Sequence, residues 1–342
     1  MIESIQFTNF KALRQTRLPL APFTLLLGPN GSGKSSVLQA LCAIAGIVNN
    51  SPDNQLNRTS LLSVSAENRN EAVELRLTLR LKSQPIIATF QWERSRPPVC
   101  SLQHDNGKEI HGELSDLARN WLGRMQVFSL DYCAIAQPVP VNAEAGLQAN
   151  GRGLSAVLDD LKDNHPEKWE SLLKEMRQWL PEYDYILFDK PSPGQKAIAL
   201  RTKTGRHRIP AEDLSQGTLI ALALLTLNYL PSPPSLVGLE EIDRGLHPRL
   251  LRNLQDALYR LSYPDNSGAS RPPIQVIATT HSPYLLDLYC EHPEEVVLAE
   301  KKGLEVEMKQ LAQIDHFEDI IGESPLSEVW YSGVLGGVSV KP

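Results

Sequence analysis

The stretch Leu25–Ser36, LLLGPNGSGKSS, decides how the rest of the chain is read. Within it, Gly28-Pro29-Asn30-Gly31-Ser32-Gly33-Lys34-Ser35 matches the pattern G-x-x-x-x-G-K-[S/T] at every fixed position. The apolar run before it, FTLLL, reads as a strand. The run after it, KSSVLQALCAIAGIV, has an apolar face and reads as a helix. A glycine turn between strand and helix lets backbone N–H groups surround an anion, and the helix N-terminus adds favourable partial charge. The expected nucleotide contacts are therefore Gly28, Asn30, Gly31, Ser32, Gly33, Lys34, Ser35 and Ser36. Lys34 is expected to reach the β- and γ-phosphates and Ser35 to hold Mg²⁺. Such a loop alone does not separate a small-molecule kinase, a GTPase switch, a motor and a DNA-clamping ATPase.

The 342 residues suffice for one large α/β domain or two modest ones. Apolar residues make up 42% and charged residues 22%, as in ordinary globular proteins. No apolar run is long enough to cross a bilayer. The start, MIESIQFTNF, lacks a basic region followed by an apolar core, so no signal peptide is expected and the cytoplasm is the default compartment. Cys42, Cys100, Cys133 and Cys290 show no CxxC spacing, which argues against a zinc site or a disulfide framework. With a net charge of -6, any DNA contact must come from a local basic patch. The turn RTKTGRHR offers Arg201, Lys203, Arg206 and Arg208, and Arg94 with Arg96 form a second patch.

IESIQFTNF reads as a strand joined to FTLLL by a short polar link. The segment Asn49–Asn70 is polar and irregular. AVELRLTLRLK and PIIATFQWE follow as antiparallel strands, and VFSLDYCAI is a further strand candidate. GLSAVLDDLKDNHPEKWESLLKEMRQWLP gives two helices with a break near Asn164 and Pro166. YDYILFD, KAIALRT and HRIPAEDL read as short strands. The expected architecture is α/β, with a P-loop core split between residues 1–50 and 210–300. A mixed lobe is inserted at 51–209, and 301–342 close the fold, where EEVVLAEKKGLEVEMKQL reads as a hairpin. Asp315, Glu318, Asp319 and Glu323 read as a solvated acidic face.

LVGLEEID is a buried strand that runs into two adjacent acids. A phosphate loop needs a carboxylate at a strand tip for Mg²⁺ and a group to deprotonate water. Glu240 fits the first role and Glu241 the second. Consecutive strand residues face opposite ways, so Glu241 must lie where the chain turns. DLSQGTL begins a helix with Ser215 as its cap, and ATTHSP places His281 at a strand end.

The order of these motifs carries a family resemblance. FTNFKAL, GPNGSGKSS, LSQGT, GLEEIDRGLHP and ATTHSPYLLD together resemble the RecF/SMC/OLD-like branch of ABC-type ATPases. They are most similar to the short stand-alone AAA-family ATPases of bacterial defence and repair operons, as is the ending LSEVWYSGVLGG. The resemblance implies an ABC-ATPase head with a mostly parallel core sheet and antiparallel flanking strands. It implies a homodimer closed around ATP and Mg²⁺, with Ser215, Gln216 and Gly217 capping the partner's nucleotide. His281 would sense the γ-phosphate, Gly245–Pro248 would link the two sites, and Gln137 would join Mg²⁺ to the inserted lobe. An effector in trans, such as a nuclease, in phage defence or DNA repair completes the picture. Three features depart from the pattern: Glu240 stands for the usual Asp, Ile242 for a common proline, and Gln216 for one of two glycines. A non-catalytic ATP-binding scaffold, a P-loop small-molecule kinase and a transporter subunit remain as alternatives.

Overall fold

The fold is that of a computed structural model, which describes residues 1–49, 72–93, 96–267, 271–303, 305–314 and 325–332. The Arg94 and Arg96 side chains, the polar segment from residue 50 to 70 and the acidic run Asp315, Glu318, Asp319 and Glu323 lie outside the described residues. The chain divides into two units. The first comprises Met1–Val127, Pro234–Ile242 and Pro272–Pro342, the second Phe128–Pro233 and Asp243–Arg271.

Along the chain run β1 (Ile2–Phe10), β2 (Leu13–Pro19), β3 (Phe23–Leu27), α1 (Lys34–Val48), β4 (Val73–Leu81), β5 (Gln84–Glu93), β6 (Arg96–His104), α2 (Glu113–Gly123) and β7 (Gln126–Phe128). Then come α3 (Tyr132–Ala136), β8 (Val139–Pro140), α4 (Leu154–Asn164), α5 (Pro166–Trp179), β9 (Tyr183–Asp189), β10 (Gln195–Thr202), β11 (Arg208–Pro210) and α6 (Gln216–Thr226). The remainder is β12 (Leu236–Leu239), α7 (Leu251–Ser262), β13 (Gln275–Thr280), α8 (Pro283–Leu286), β14 (Val296–Lys302), β15 (Glu305–Gln310) and α9 (Leu326–Tyr331).

The first unit holds two sheets. One has the order β15-β14-β3-β13-β12-β7. In it β14 and β13 pair with β3 in parallel, and β12 pairs with β13 in parallel. Every residue of β3, β12 and β13 is buried, as expected for parallel strands covered on both faces. The closing hairpin read from the sequence is β14–β15, antiparallel at this sheet's edge. The other sheet, β2-β1-β4-β5-β6, is antiparallel throughout. Along β4 burial alternates, so one face is apolar. That face, with Phe7, Leu75, Leu77 and Phe90, shares one core with Val37, Leu41 and Ile44 of α1 and with Leu26 and Ile277 of the parallel sheet.

In the second unit β10 pairs antiparallel with β8, β9 and β11. The break between α4 and α5 falls at His165, with Pro166 in the first turn of α5, where its missing N–H costs nothing. α6 is buried at every residue from Thr218 to Thr226, a helix enclosed on all sides.

Two local expectations change. The link between β1 and β3 contains a strand, β2, whose Leu13, Thr16 and Leu18 point inward with a period close to two. The segment VFSLDYCAI is not one strand. β7 stops at Phe128, and Asp131 caps α3 by accepting a hydrogen bond from the Ala134 N–H at 2.8 Å. Strand β4 pairs with β1, β5 with β4 and β6 with β5 in the first unit, and α6 lies in the second.

Gln275, only 2% exposed, staples the first unit together. Its side chain accepts from the Ile2 N–H at 2.8 Å and donates to the Ile2 and Ala21 carbonyls at 2.7 and 3.0 Å. It fills the place where the β1–β4 register shifts between Ile2 and Ser4. Gln275→Leu removes these three hydrogen bonds and leaves the Ile2 backbone without its side-chain partner, and we expect a loss of about 3 kcal/mol in urea unfolding of the first unit.

Candidate nucleotide site

The phosphate loop leaves β3 and enters α1 as the sequence predicts. Gly28 passes so close to the strand beside it that a Cβ there would collide with the Ala299 carbonyl and sit 2.8 Å from Ser32 Oγ. Backbone, not side chain, therefore lines this part of the turn. Ser32 is fully buried and Lys34 is 6% exposed. The Lys34 ammonium donates to the Gly28 and Pro29 carbonyls at 2.7 and 2.9 Å. Burial lowers its pKa to about 8, against a smaller upward pull from Glu241.

The acids at the end of β12 occupy the place that the strand argument requires. β12 ends at Leu239. Glu241 then takes the left-handed conformation with φ 48°, unusual for a residue that is not glycine. The reversal is anchored on the neighbouring strand β13: the Glu241 N–H donates to Thr279 Oγ1 at 2.9 Å and the Ile242 N–H to the Thr279 carbonyl at 3.1 Å. Glu240 faces the phosphate loop, and its Oε1 accepts from Ser35 Oγ at 2.5 Å. The carboxylate of Glu241 lies 3.9 Å from Nε2 of His281. His281 follows directly on β13, where the Ser282 N–H donates to Thr280 Oγ1 at 2.9 Å.

The first unit thus brings together Lys34, Ser35, Glu240, Glu241 and His281. Thr279 and Thr280, which hold the two catalytic-candidate turns, were missed by sequence reasoning. Their signal is a pair of adjacent threonines at the end of an otherwise apolar strand. The donor set suits Mg²⁺: a hydroxyl and a carboxylate oxygen already in contact are hard oxygen ligands of the kind this ion takes alongside substrate phosphates. Among the described residues no group of three or more His, Cys, Asp or Glu is placed to hold a metal ion by itself.

Ser215, Gln216 and Gly217 belong to the second unit. Ser215 caps α6, its Oγ accepting from the Thr218 N–H at 3.1 Å. A Cβ on Gly217 would lie 2.5 Å from the Gly245 carbonyl, and one on Gly245 would lie 2.9 Å from the Gln216 side chain. Gly245 has φ 74°. The start of α6 and the loop Asp243–His247 are keyed into each other through two glycines, and Gln216 fills the room that Gly245 leaves. Gln137, exposed, ends α3 rather than a strand. In the basic turn, Arg201 is held by both oxygens of Asp184 at 2.7 and 3.1 Å, and Arg208 pairs with Asp189. Lys203 and Arg206 are exposed.

Comparison with known proteins bears on the family and the fold. The family described as "AAA ATPase domain" matches residues 1–120, and the family described as "AAA domain, putative AbiEii toxin, Type IV TA system" matches residues 139–287. The chain carries AAA-family ATPase domains. The motifs and the fold fit the RecF/SMC/OLD-like branch of ATPases. Its fold is that of the SMC head domain from Thermotoga maritima, at 15% identity and a TM-score of 0.52 over 90% of this chain and 98% of that one. It is 42% identical over 48 residues to the OLD nuclease of Thermus scotoductus and 44% identical over 46 residues to the chromosome partition protein Smc of Methanococcus voltae. Those segments cover 14% and 13% of this chain but only 9% and 4% of the two relatives. Among the described residues no helix is long and apolar enough to cross a membrane.

The lowered pKa of Lys34 has a definite sign. Burial opposes the ammonium, so this cost to the folded state is fully present below about pH 8 and is relieved as pH rises towards the ordinary lysine value of 10.5. A bound triphosphate reverses the preference. Nucleotide affinity should therefore fall as pH rises through about 8, with proton uptake on binding, as calorimetry in buffers of different ionisation enthalpy will show. Gly217→Ala should destabilise the second unit by about 1–3 kcal/mol through the clash with Gly245, seen as an earlier urea transition.

Proposed function

We propose that the chain is a Mg²⁺-dependent ATPase that works as an ATP-gated dimer of heads. The observation that carries the reading is the contact between Ser35 and Glu240, with Glu241 beside His281 at the ends of adjacent strands. Lys34 offsets charge on the β- and γ-phosphates. Ser35 and Glu240 would hold Mg²⁺, and the ion would neutralise phosphate charge when bound. Glu240 meets Ser35 despite its extra methylene, which supports a metal-binding role for Glu in place of Asp.

Glu241 accepts a proton from water as the water oxygen bonds to the γ-phosphorus. The bond from that phosphorus to the bridging oxygen breaks, and ADP leaves. His281 donates a hydrogen bond to the γ-phosphate and orients Glu241. Ser215, Gln216 and Gly217 of a second copy cap the nucleotide from the other side. The dimerisation cycle acts as a switch in the cytoplasm, in phage defence or DNA repair, with an effector such as a nuclease in trans. The defence setting is supported by the family description that names a toxin–antitoxin system. Direct DNA contact, where it occurs, uses the phosphates and falls to Lys203 and Arg206, because Asp184 and Asp189 already neutralise Arg201 and Arg208.

The test compares wild type with Glu241→Gln for phosphate release and for molar mass by light scattering, with and without Mg²⁺–ATP. We expect the variant to lose about 10²-fold or more in turnover and to accumulate as a dimer in ATP. Equal turnover in the two proteins, with no change of mass, would rule out the head-dimer mechanism.

A further inference from the structure

Ser215 is the residue through which the proposed dimer touches the γ-phosphate, and its hydroxyl is not isolated. Its oxygen accepts from the Thr218 N–H and lies 2.7 Å from Thr218 Oγ1, so the two hydroxyls share one proton between them as donor and acceptor. Thr218 is 6% exposed, on the first turn of α6, whereas Ser215 is exposed.

A serine hydroxyl has one proton and two lone pairs. Serving an anion requires that the proton point outward. The Ser215 oxygen must then be satisfied from behind by donors alone. The Thr218 N–H is one such donor and the Thr218 hydroxyl is the second. Each hydroxyl in such a chain polarises the next, so the last proton is the strongest donor.

We propose that Thr218 is a positioning residue that turns the Ser215 hydroxyl proton outward as a donor to the γ-phosphate of the nucleotide held by a second copy of this chain. The inference rests on the dimeric reading above. It assigns no contact between Thr218 and the nucleotide: Thr218 acts through Ser215.

The test uses the full chain in four forms beside wild type: Thr218→Val, Thr218→Ser, Ser215→Ala and the double variant Ser215→Ala/Thr218→Val. Thermal melting shows that each is folded. A fluorescent ATP analogue at low protein concentration reads nucleotide binding by the single copy. Light scattering against protein concentration reads ATP-driven dimerisation, and phosphate release gives kcat and KM. Thr218→Val keeps the shape and the N–H donor but removes the hydroxyl. It should lower kcat and raise the half-dimerisation concentration about five- to tenfold, the worth of one hydrogen bond. Single-copy nucleotide binding should not change. Thr218→Ser should restore both quantities. In the Ser215→Ala background the valine should add nothing. A Thr218→Val protein that matches wild type, or one whose deficit is equally large without Ser215, overturns the relay while leaving the head-dimer reading intact. Ser215→Ala with wild-type turnover and dimerisation overturns both.

Discussion

The reversal of the chain at Glu241 is the constraint on which the proposed chemistry depends. Two adjacent residues in a strand point to opposite faces, so two adjacent acids cannot both serve one phosphate while the strand continues. The chain ends β12 at Leu239 and turns Glu241 into the left-handed region, at a cost of about 1 kcal/mol. Thr279 holds the turn with its hydroxyl and its carbonyl. Thr279 can do so because β12 and β13 run parallel in adjacent positions, with Leu239 opposite Ala278. The same parallel pairing brings His281 to the same end of the sheet. Strand order and a single backbone torsion together set Glu240 towards Ser35 and Glu241 towards His281.

The second constraint is burial without pairing. Lys34 sits almost wholly inside the protein, with carbonyl oxygens as its hydrogen-bond partners. An ammonium in that position is satisfied but not neutralised, which is why burial governs its pKa. The site holds a positive charge in reserve for an anion. The start of α6 shows a similar economy of parts in the second unit. Gly217 and Gly245 approach so closely that neither tolerates a side chain, and Gln216 occupies the space they leave. A departure from the familiar double glycine is thereby absorbed by a glycine about thirty residues further on.

Much of this was legible in the sequence. The phosphate loop, the apolar strands before it and before the acids, the helix capped by Ser215 and the break at Pro166 all depend on neighbours in the chain. Local propensity and hydrophobic period suffice for them. β2 was not legible, because its seven residues mix two arginines and a glutamine with short apolar positions, and only pairing with β1 makes it a strand. The segment 127–135 misled for the opposite reason. Its composition suits a strand, but Asp131 caps a short helix within it.

The sequence by itself determined the residue types of the site and their order: a glycine-rich loop with lysine and serine, a capped signature turn, paired acids, and a histidine after a buried strand. Those follow from chemistry that only certain side chains at certain spacings can perform. The tertiary structure alone decided which way each of them points. That Glu240 meets Ser35, that Thr279 receives the Glu241 turn, that Thr218 stands behind Ser215, and that Asp184 and Asp189 quench two of the four cations in the basic turn are outcomes of register and packing. A one-dimensional pattern records which groups are available. Hydrogen-bond direction, close approach and charge pairing depend on distances between residues far apart in the chain, and these exist only once the sheets have formed.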